Sequence, residues 1–403
     1  MNIYVYENKA LSMLDPISTT RATFDIRIGK DTFLDRIKNI YPNSNIQLFV
    51  RDEIKDLVSD YHPDLVVNPE KIESGIWLLG NVLWKEKEII VDESEQILFM
   101  DQNECIGASL NEVNGLHFLK NLFDGKTLET IKKTKNINGK LCKYLWDILD
   151  IINDSLLIEK AFYYNNENQK ILNFDFDSIH LINESNIFIG KSSIQPGVIM
   201  DASLGPIIID DDVKINAHSY IEGPVYIGEG SIISPLSQIK KSIIGPMCKI
   251  GGELNGVIIQ GFSNKAHYGH LGDSFIGEWV NLGAGTTNSN LKNNYSDIEI
   301  LIKNKAIKTN KIHLGCFIGD YVKTAIGTKI NTGSIFETGS MIFSRGFPPK
   351  NIPIFTWLEN EKISQVDINK FFISCKRIKE RRKISFSDSE RLFFTNLLNK
   401  IEK

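Results

Sequence analysis

No stretch of the 403-residue chain approaches the roughly 20 uncharged apolar residues that a membrane helix requires, so no membrane insertion is expected. The opening segment, MNIYVYENKALSMLD, has acidic residues early and no apolar signal core, and reads without an export signal. Cysteine is scarce. Cys105, Cys142, Cys248, Cys316 and Cys375 are scattered, odd in number and never paired as C-x-x-C. That leaves no disulfide framework and no zinc site, and it fits a reducing cytoplasm. Neither sign of charge is in excess: Lys+Arg 46 against Asp+Glu 50 gives −4. A protein built mainly to hold nucleic acid would usually carry a basic excess, so no nucleic-acid partner is expected. What is present is a globular composition, 42% hydrophobic and 24% charged, on a chain long enough for two or three domains.

The strongest positive signal is a repeat. Ile209, Ile215, Ile221, Ile227, Ile233 and Ile239 recur every six residues. An amphipathic helix would repeat its apolar positions at three or four, and a flat strand at two. A period of six, with Gly223-Pro224, Gly228, Gly230 and Ser234 between the aliphatics, means one short strand and one tight turn per unit. Three units close a triangular coil, and the isoleucines stack inside a prism, a parallel β-helix. The register slips by one between Ile239 and Ile244, then resumes at Ile250, at Ile276 and Leu282, and at Ile318, Thr324, Ile330, Phe336 and Ile342. The polar run between Leu282 and Ile318 is long enough to be either functional or disordered.

Before the repeat, short apolar runs (MNIYVYE, IQLFVRD, LVVNP, QILFMD) read as strands. A helix is expected near 141–164, from the spacing of Leu145, Ile148, Leu149, Ile152, Leu156 and Leu157. Strands interleaved with helices suggest an α/β domain with a mainly parallel sheet. After the repeat, GFPPKNIP is expected to break regular structure, and residues 360–403 read as two helices. Ser387 and Glu390 form a capping box for the second, and the basic run KRIKERRK between them reads as a solvated face. The expected domains are 1–180, 186–350 and a helical extension at 351–403.

The chemistry is concentrated at residues 260–290, QGFSNKAHYGHLGDSFIGEWVNLGAGTTNSN. Here the aliphatic ladder is interrupted by two histidines, a lysine and several amides. Histidine suits proton transfer near neutral pH, amides can fix hydroxyls or polarise a carbonyl, and Gly283-Ala284-Gly285 lets a thin ligand approach the backbone. By chemistry alone, His267 and His270 fit a coil corner equally well.

The string from Ser263-Asn264-Lys265-Ala266-His267 through Leu271-Gly272-Asp273 and Ile276-Gly277 to Asn281-Leu282-Gly283-Ala284-Gly285-Thr286 resembles the acetyltransferase half of one enzyme family. That family is the bifunctional N-acetylglucosamine-1-phosphate uridylyltransferase/glucosamine-1-phosphate N-acetyltransferases. The string is especially similar to divergent bacterial and archaeal sugar-nucleotidyltransferase homologues. About thirty-five contiguous residues carry the likeness, and the hexapeptide frame extends it over 187–345. The resemblance implies a left-handed β-helix, a homotrimer with sites between subunits, acetyl-CoA as co-substrate, and N-acetylation of an amino-sugar 1-phosphate for nucleotide-sugar and cell-envelope biosynthesis. It places His267 at the general base and Glu253, Lys265 and Asn281 among the substrate contacts. It places Ala284 and Asn290 among the acetyl-CoA contacts. His270 stands where better-known bacterial members carry a substrate-contacting tyrosine. Asn255 stands where they carry a lysine for the sugar phosphate, and the expected earlier arginine is missing. Lys240, Lys241, Lys249, Lys292, Lys303 and Lys311 are the candidates to replace that charge.

The N-terminal half resembles the same family through Leu14-Asp15-Pro16-Ile17-Ser18-Thr19-Thr20-Arg21-Ala22, Asp25-Ile26-Arg27-Ile28-Gly29 and Leu145-Trp146-Asp147-Ile148-Leu149. This implies a divergent, Rossmann-like nucleotidyltransferase domain, with a nucleoside triphosphate and Mg²⁺ as the partners of a working site. Residues 7–13, ENKALSM, lack the glycines with which such a site surrounds phosphates by backbone N–H groups. Arg21 and Arg27 are candidates to grip a phosphate, or equally to form structural ion pairs. Asp101 is the one tempting metal carboxylate, and its metal role is open. Three readings follow. The chain is an N-acetyltransferase with a degenerate or weak N-domain, a nucleotidyltransferase whose β-helix assembles the oligomer, or a non-catalytic trimeric scaffold.

Overall fold

The computed structural model describes residues 1–8, 13–85, 89, 95–121, 131–163, 178–303 and 305–401. The four strands expected in the N-terminal half are present as Asn2–Tyr6, Asn45–Phe49, Val66–Val67 and Ile97–Asp101. They join Gly75–Leu79, Glu104–Leu110 and Thr134–Asn136 in a seven-stranded sheet. The sheet is parallel except for Glu104–Leu110, which opposes both of its neighbours. Ile3 to Tyr6 are buried without alternation, as in a sheet covered on both faces. Trp77 lies at its centre, stacked on Phe49 at 5.2 Å and met edge-on by Phe118 at 5.4 Å.

The helix expected near 141–164 is two helices, Leu145–Asp150 and Ile152–Tyr163, broken at Ile151. Residues 139–141 are instead a strand paired with Val82–Trp84, and residue 164 lies outside the described residues. Asp147 starts the first helix by accepting the N–H groups of Lys143 and Tyr144 at 2.9 and 2.8 Å. The second helix carries the fully buried Glu159, which accepts from the Lys30 and Asp31 N–H groups.

The hexapeptide ladder folds as a parallel β-helix. Ile209 stacks on Ile227, Ile244, Ile259, Ile276, Ile318, Phe336 and Ile352 in successive coils. Ile221, Ile239, Leu254 and Leu271 form a second internal ladder, and Ile215, Ile233 and Ile250 a third. All are 0–1% exposed. At about 25 cal/mol per Å² these ladders are the main stabilisation of the prism. The run GFPPKNIP does not end it. Asn351–Ile352 pairs with Ser334–Phe336, and Thr356–Glu359 pairs with Met341–Phe343, so coil stacking continues past residue 350. The long insertion contains a hairpin, Glu299–Ile302 with Lys305–Lys308, anchored by buried Ile298, Ile300 and Ile302.

The extension ends in helices Ile368–Glu380 and Asp388–Ile401. The expected capping box is formed: the Ser387 N–H donates to Glu390 Oε2 at 3.0 Å, and the Glu390 N–H to Ser387 Oγ at 3.1 Å. The basic run is not simply a solvated face. Lys379 is buried and paired with Glu390, and most of the run belongs to the first helix. Among the described residues no helix is long and apolar enough to cross a membrane.

Candidate functional site

His267 stands on an exposed corner of the prism, between the inward-facing Lys265 and the strand His270–Glu278. The next coil turns this same corner at Gly283-Ala284-Gly285. There the Gly285 N–H donates to the Tyr268 carbonyl at 3.0 Å, so Ala284 and Gly285 stack directly against the histidine's corner. The Ala284 carbonyl is already taken by the Gly327 N–H, at 2.7 Å. A side chain at Gly283 would meet the Ala325 carbonyl oxygen at 2.4 Å, so coil stacking itself demands glycine there.

On one side of the corner, Glu253 and His270 occupy equivalent positions of adjacent coils, with His270 Nδ1 3.3 Å from Glu253 Oε1. Asn255 and Gly272 are paired likewise, and Lys240 lies one coil below Asn255. A Cβ on Gly272 would fall 2.7 Å from both His270 Nε2 and Asn290 Nδ2. Those two side chains therefore converge over the glycine. Asn290 is oriented by Asp273, whose Oδ2 accepts its amide at 2.7 Å. Glu253, His270 and Asn290 thus form one cluster beside His267, with Asn255 exposed at its edge.

Asn281 lies on the other side of the corner. It bridges Asn264 in the preceding coil and Lys323 in the next. It therefore adjoins the His267 corner by stacking but does not share a face with His270. Lys265 departs from its expected role. It occupies the internal aliphatic ladder, directly above Ile250, and is 3% exposed. Its Nζ donates to the carbonyls of Gly251 and His267, each at 2.8 Å, and burial pushes its pKa down to about 8. A substrate contact needs an accessible group, and this amine is inside the coil. Of the six lysines considered for a phosphate, Lys240 pairs with Glu222 at 3.3 Å and Lys311 with Asp150 at 2.6 Å. Lys292 donates to Asp297 O, and Lys241 lines a small cavity with Asp150 and Lys311. Lys249 faces a larger pocket.

The two N-terminal arginines both reach partners on the β-helix. Arg21 is 4% exposed and pairs with Asp320 and, at 3.6 Å, Glu278, both on the β-helix. Arg27 donates from Nε to the Gln260 carbonyl at 2.9 Å and from Nη1 to the carbonyls of Gly29 and Lys30. Arg21 Nη2 is held by carboxylates and Arg27 by carbonyls of both halves, so the two side chains tie the halves together, while Arg21 Nη1 is buried without a hydrogen-bond partner among the described residues. Residues 9–12 of the glycine-free segment lie outside the described residues. Just before them, Glu7 is fully buried, held by Arg51 at 2.8 Å and by the Thr23 N–H at 2.9 Å. Burial pushes its pKa up, with Arg51 opposing. Asp101 accepts the Leu141 N–H at 3.3 Å. Among the described residues no three His, Cys, Asp or Glu side chains gather to hold a metal.

Comparison with known proteins agrees with the residue strings. Residues 3–179 match the family described as sugar nucleotidyl transferase. A bifunctional sugar-1-phosphate nucleotidylyltransferase/acetyltransferase of Sulfurisphaera tokodaii is 41% identical over 133 residues, covering 32% of this chain and 33% of that one. The bifunctional protein GlmU of Thermodesulfovibrio yellowstonii is 34% identical over 138 residues, covering 34% and 28%. The chain thus spans about a third of the length of these curated relatives. Among solved structures, the GDP-perosamine N-acetyltransferase of Caulobacter crescentus, in complex with CoA and GDP-perosamine, overlaps 44% of this chain and 58% of its own. That overlap is at 11% identity and a TM-score of 0.17, too slight to carry an argument. Over these stretches the chain is similar to sugar-1-phosphate nucleotidylyltransferase/acetyltransferases.

Proposed function

We propose that this chain is an acyltransferase that moves an acetyl group from acetyl-CoA to the amine of an amino-sugar 1-phosphate. One observation carries the reading: His267 is exposed on a corner that stacks against Ala284-Gly285 and borders the Glu253–His270–Asn290 cluster. Acetyl-CoA supplies the activated thioester. The sugar amine attacks the thioester carbonyl, so a C–N bond forms as the C–S bond breaks. His267 accepts the proton the nitrogen must lose and passes it to the departing thiolate, which leaves as coenzyme A thiol. Glu253 and His270 hold polar groups of the acceptor, while Asn290, fixed by Asp273, and the Ala284 backbone serve the acetyl donor.

His267 is exposed on its corner, which by itself excludes little water, so we place the working site between subunits of a homotrimer, where a neighbouring prism supplies the missing wall. The N-domain is a strut with weak or no nucleotidyl transfer. Glu7, the first residue of the glycine-free segment, is a buried carboxylate held by Arg51, and Arg21 and Arg27 are committed to the β-helix. The test is thiol release from acetyl-CoA with glucosamine 1-phosphate as acceptor. Release that requires the amino sugar supports the reading. No release with any amino-sugar phosphate overturns it in favour of a scaffold.

A further inference from the structure

The basic run of the C-terminal helix closes a pocket that the acyl-transfer reading does not use. On the outer face of the β-helix, Lys249, Asn264, Asn281 and Lys323 stack in four successive coils. At about 4.8 Å per coil this ladder is roughly 14 Å long, with a cation at each end and two amides between. The helix Ile368–Glu380 crosses it and brings up Ile378, Arg381 and Arg382, enclosing a pocket of about 320 Å³. Phe262 and Trp279, stacked at 4.6 Å and 15°, form an aromatic wall.

Four cations line this pocket and no carboxylate does. Among the described residues none of the four is in an ion pair. Lys323 donates to Ser374 Oγ at 2.6 Å. Arg382 reaches the Met247 carbonyl at 3.2 Å and Asn264 Oδ1 at 3.5 Å, which orients its guanidinium along the ladder. Arg381 makes no side-chain hydrogen bond among the described residues. Cations near a helix C-terminus do favour the helix dipole, but that accounts equally for the exposed Lys376 and Arg377. It does not account for two lysines brought to the same pocket from separate coils.

We propose that this pocket is an anion site for the phosphate or pyrophosphate group of a small-molecule ligand, with the aromatic wall beside it for an attached ring or sugar. The pocket adjoins the proposed acyl-transfer corner at Asn281, which stacks between Asn264 and Lys323. It rests on that reading only for which phosphate arrives: the pyrophosphate of coenzyme A or the phosphate of the acceptor. The charge comes from both the coils, through Lys249 and Lys323, and the extension, through Arg381 and Arg382.

The test is isothermal titration calorimetry on the full chain with three probes: inorganic pyrophosphate, coenzyme A and glucosamine 1-phosphate. Arg381→Ala and Arg381→Ala/Arg382→Ala are compared with Lys376→Ala/Arg377→Ala, which removes the same two charges from the exposed part of the run. Charge-assisted contacts are strong, so the pocket variants should weaken the bound probe roughly tenfold or more, while the control stays within about twofold. Tighter binding of pyrophosphate and coenzyme A than of the sugar phosphate assigns the donor; the reverse order assigns the acceptor. Equal losses in pocket and control variants overturn the site, as does no heat from any probe at roughly millimolar concentration. Arg381→Ala alone keeps the test open if the double variant folds poorly. Because the readout is binding, an intact pocket beside a failed thiol-release assay separates the two readings.

Discussion

A lysine in an aliphatic ladder is a thermodynamic oddity, and replacing Lys265 by Met measures it. Its Nζ has two carbonyl acceptors, Gly251 O and His267 O. A neutral amine satisfies both with its two hydrogens, whereas an ammonium has a third hydrogen with no acceptor among the described residues. Burial lowers the pKa from 10.5 to about 8, a difference worth about 3 kcal/mol. The folded state therefore holds this proton less tightly than the unfolded chain. Below pH 8 both states are protonated and the full penalty is present; it fades as pH rises through the interval to 10.5 and is gone above it.

Lys265→Met removes the charge and leaves two buried carbonyls unpaired, at about 1–3 kcal/mol each. At pH 7 the two effects nearly offset, and the variant should unfold close to wild type. At pH 10 the wild type has shed most of its penalty, so the variant should fall behind by about 2 to 3 kcal/mol more than at pH 7. Urea midpoints at pH 7, 8.5 and 10, taken as differences between the two proteins, cancel every other titrating group. A gap that stays constant over this range, or that closes as pH rises, would refute the reasoning. A hydrophobic residue here also frees the His267 carbonyl, so the corner should loosen and kcat fall even where stability is matched.

Three further outcomes are expected. His267→Ala should lower kcat by roughly 10²–10⁴-fold without changing the oligomer measured by light scattering; a wild-type rate would end the assignment of the base. His270→Ala, which leaves Glu253 unpaired beside Asn290, should act mainly by raising KM, and an equal loss of kcat instead would place His270 in the chemical step. Arg21→Gln strands Asp320 and Glu278 at a buried junction and should destabilise the chain by about 3–5 kcal/mol; an unchanged urea midpoint would show that the junction is not held there.

The β-helix was legible because its period is enforced by packing: each ladder position must fill the same internal slot, so Ile209 through Ile239 could not vary. The same logic hid what broke it. Lys265 neighbours His267 in the motif and so reads as a ligand contact, yet Asn264-Lys265 takes the slot that Lys249-Ile250 takes one coil below, and the second residue of each pair points inward. From Ile250 to Lys265 is 15 residues where three hexads would be 18, so a strict count of six misses this slot. GFPPKNIP hid two more rungs because Pro and Gly signal turns, and every coil needs turns. The partners of Arg21 and Arg27 lie more than two hundred residues away, at Asp320 and Gln260, and no local pattern encodes such a pairing. The pocket was hidden in the same way, because the charges of KRIKERRK acquire meaning only beside Lys249 and Lys323.

These long-range pairings bear on what the N-domain is for. An arginine near a phosphate must remain free to exchange partners with an incoming anion, and an ion pair buried at a domain junction opposes such exchange. Arg21 is 4% exposed and its carboxylate partners belong to the other half of the chain, so recruiting it to a nucleotide would first require opening the junction. Arg27 is spent on the Gln260 carbonyl, one coil below the strand that leads from His270. The N-terminal motif thus braces the β-helix within a coil or two of the proposed acyl-transfer corner. If so, adding nucleoside triphosphate and Mg²⁺ to the full chain with N-acetylglucosamine 1-phosphate should release no pyrophosphate above background. Arg27→Ala should instead impair acetyl transfer, by loosening the coil that carries Gln260. Pyrophosphate release at ordinary enzymatic rates, dependent on the metal and abolished by Arg27→Ala, would reverse this assignment and make the N-domain a working nucleotide site.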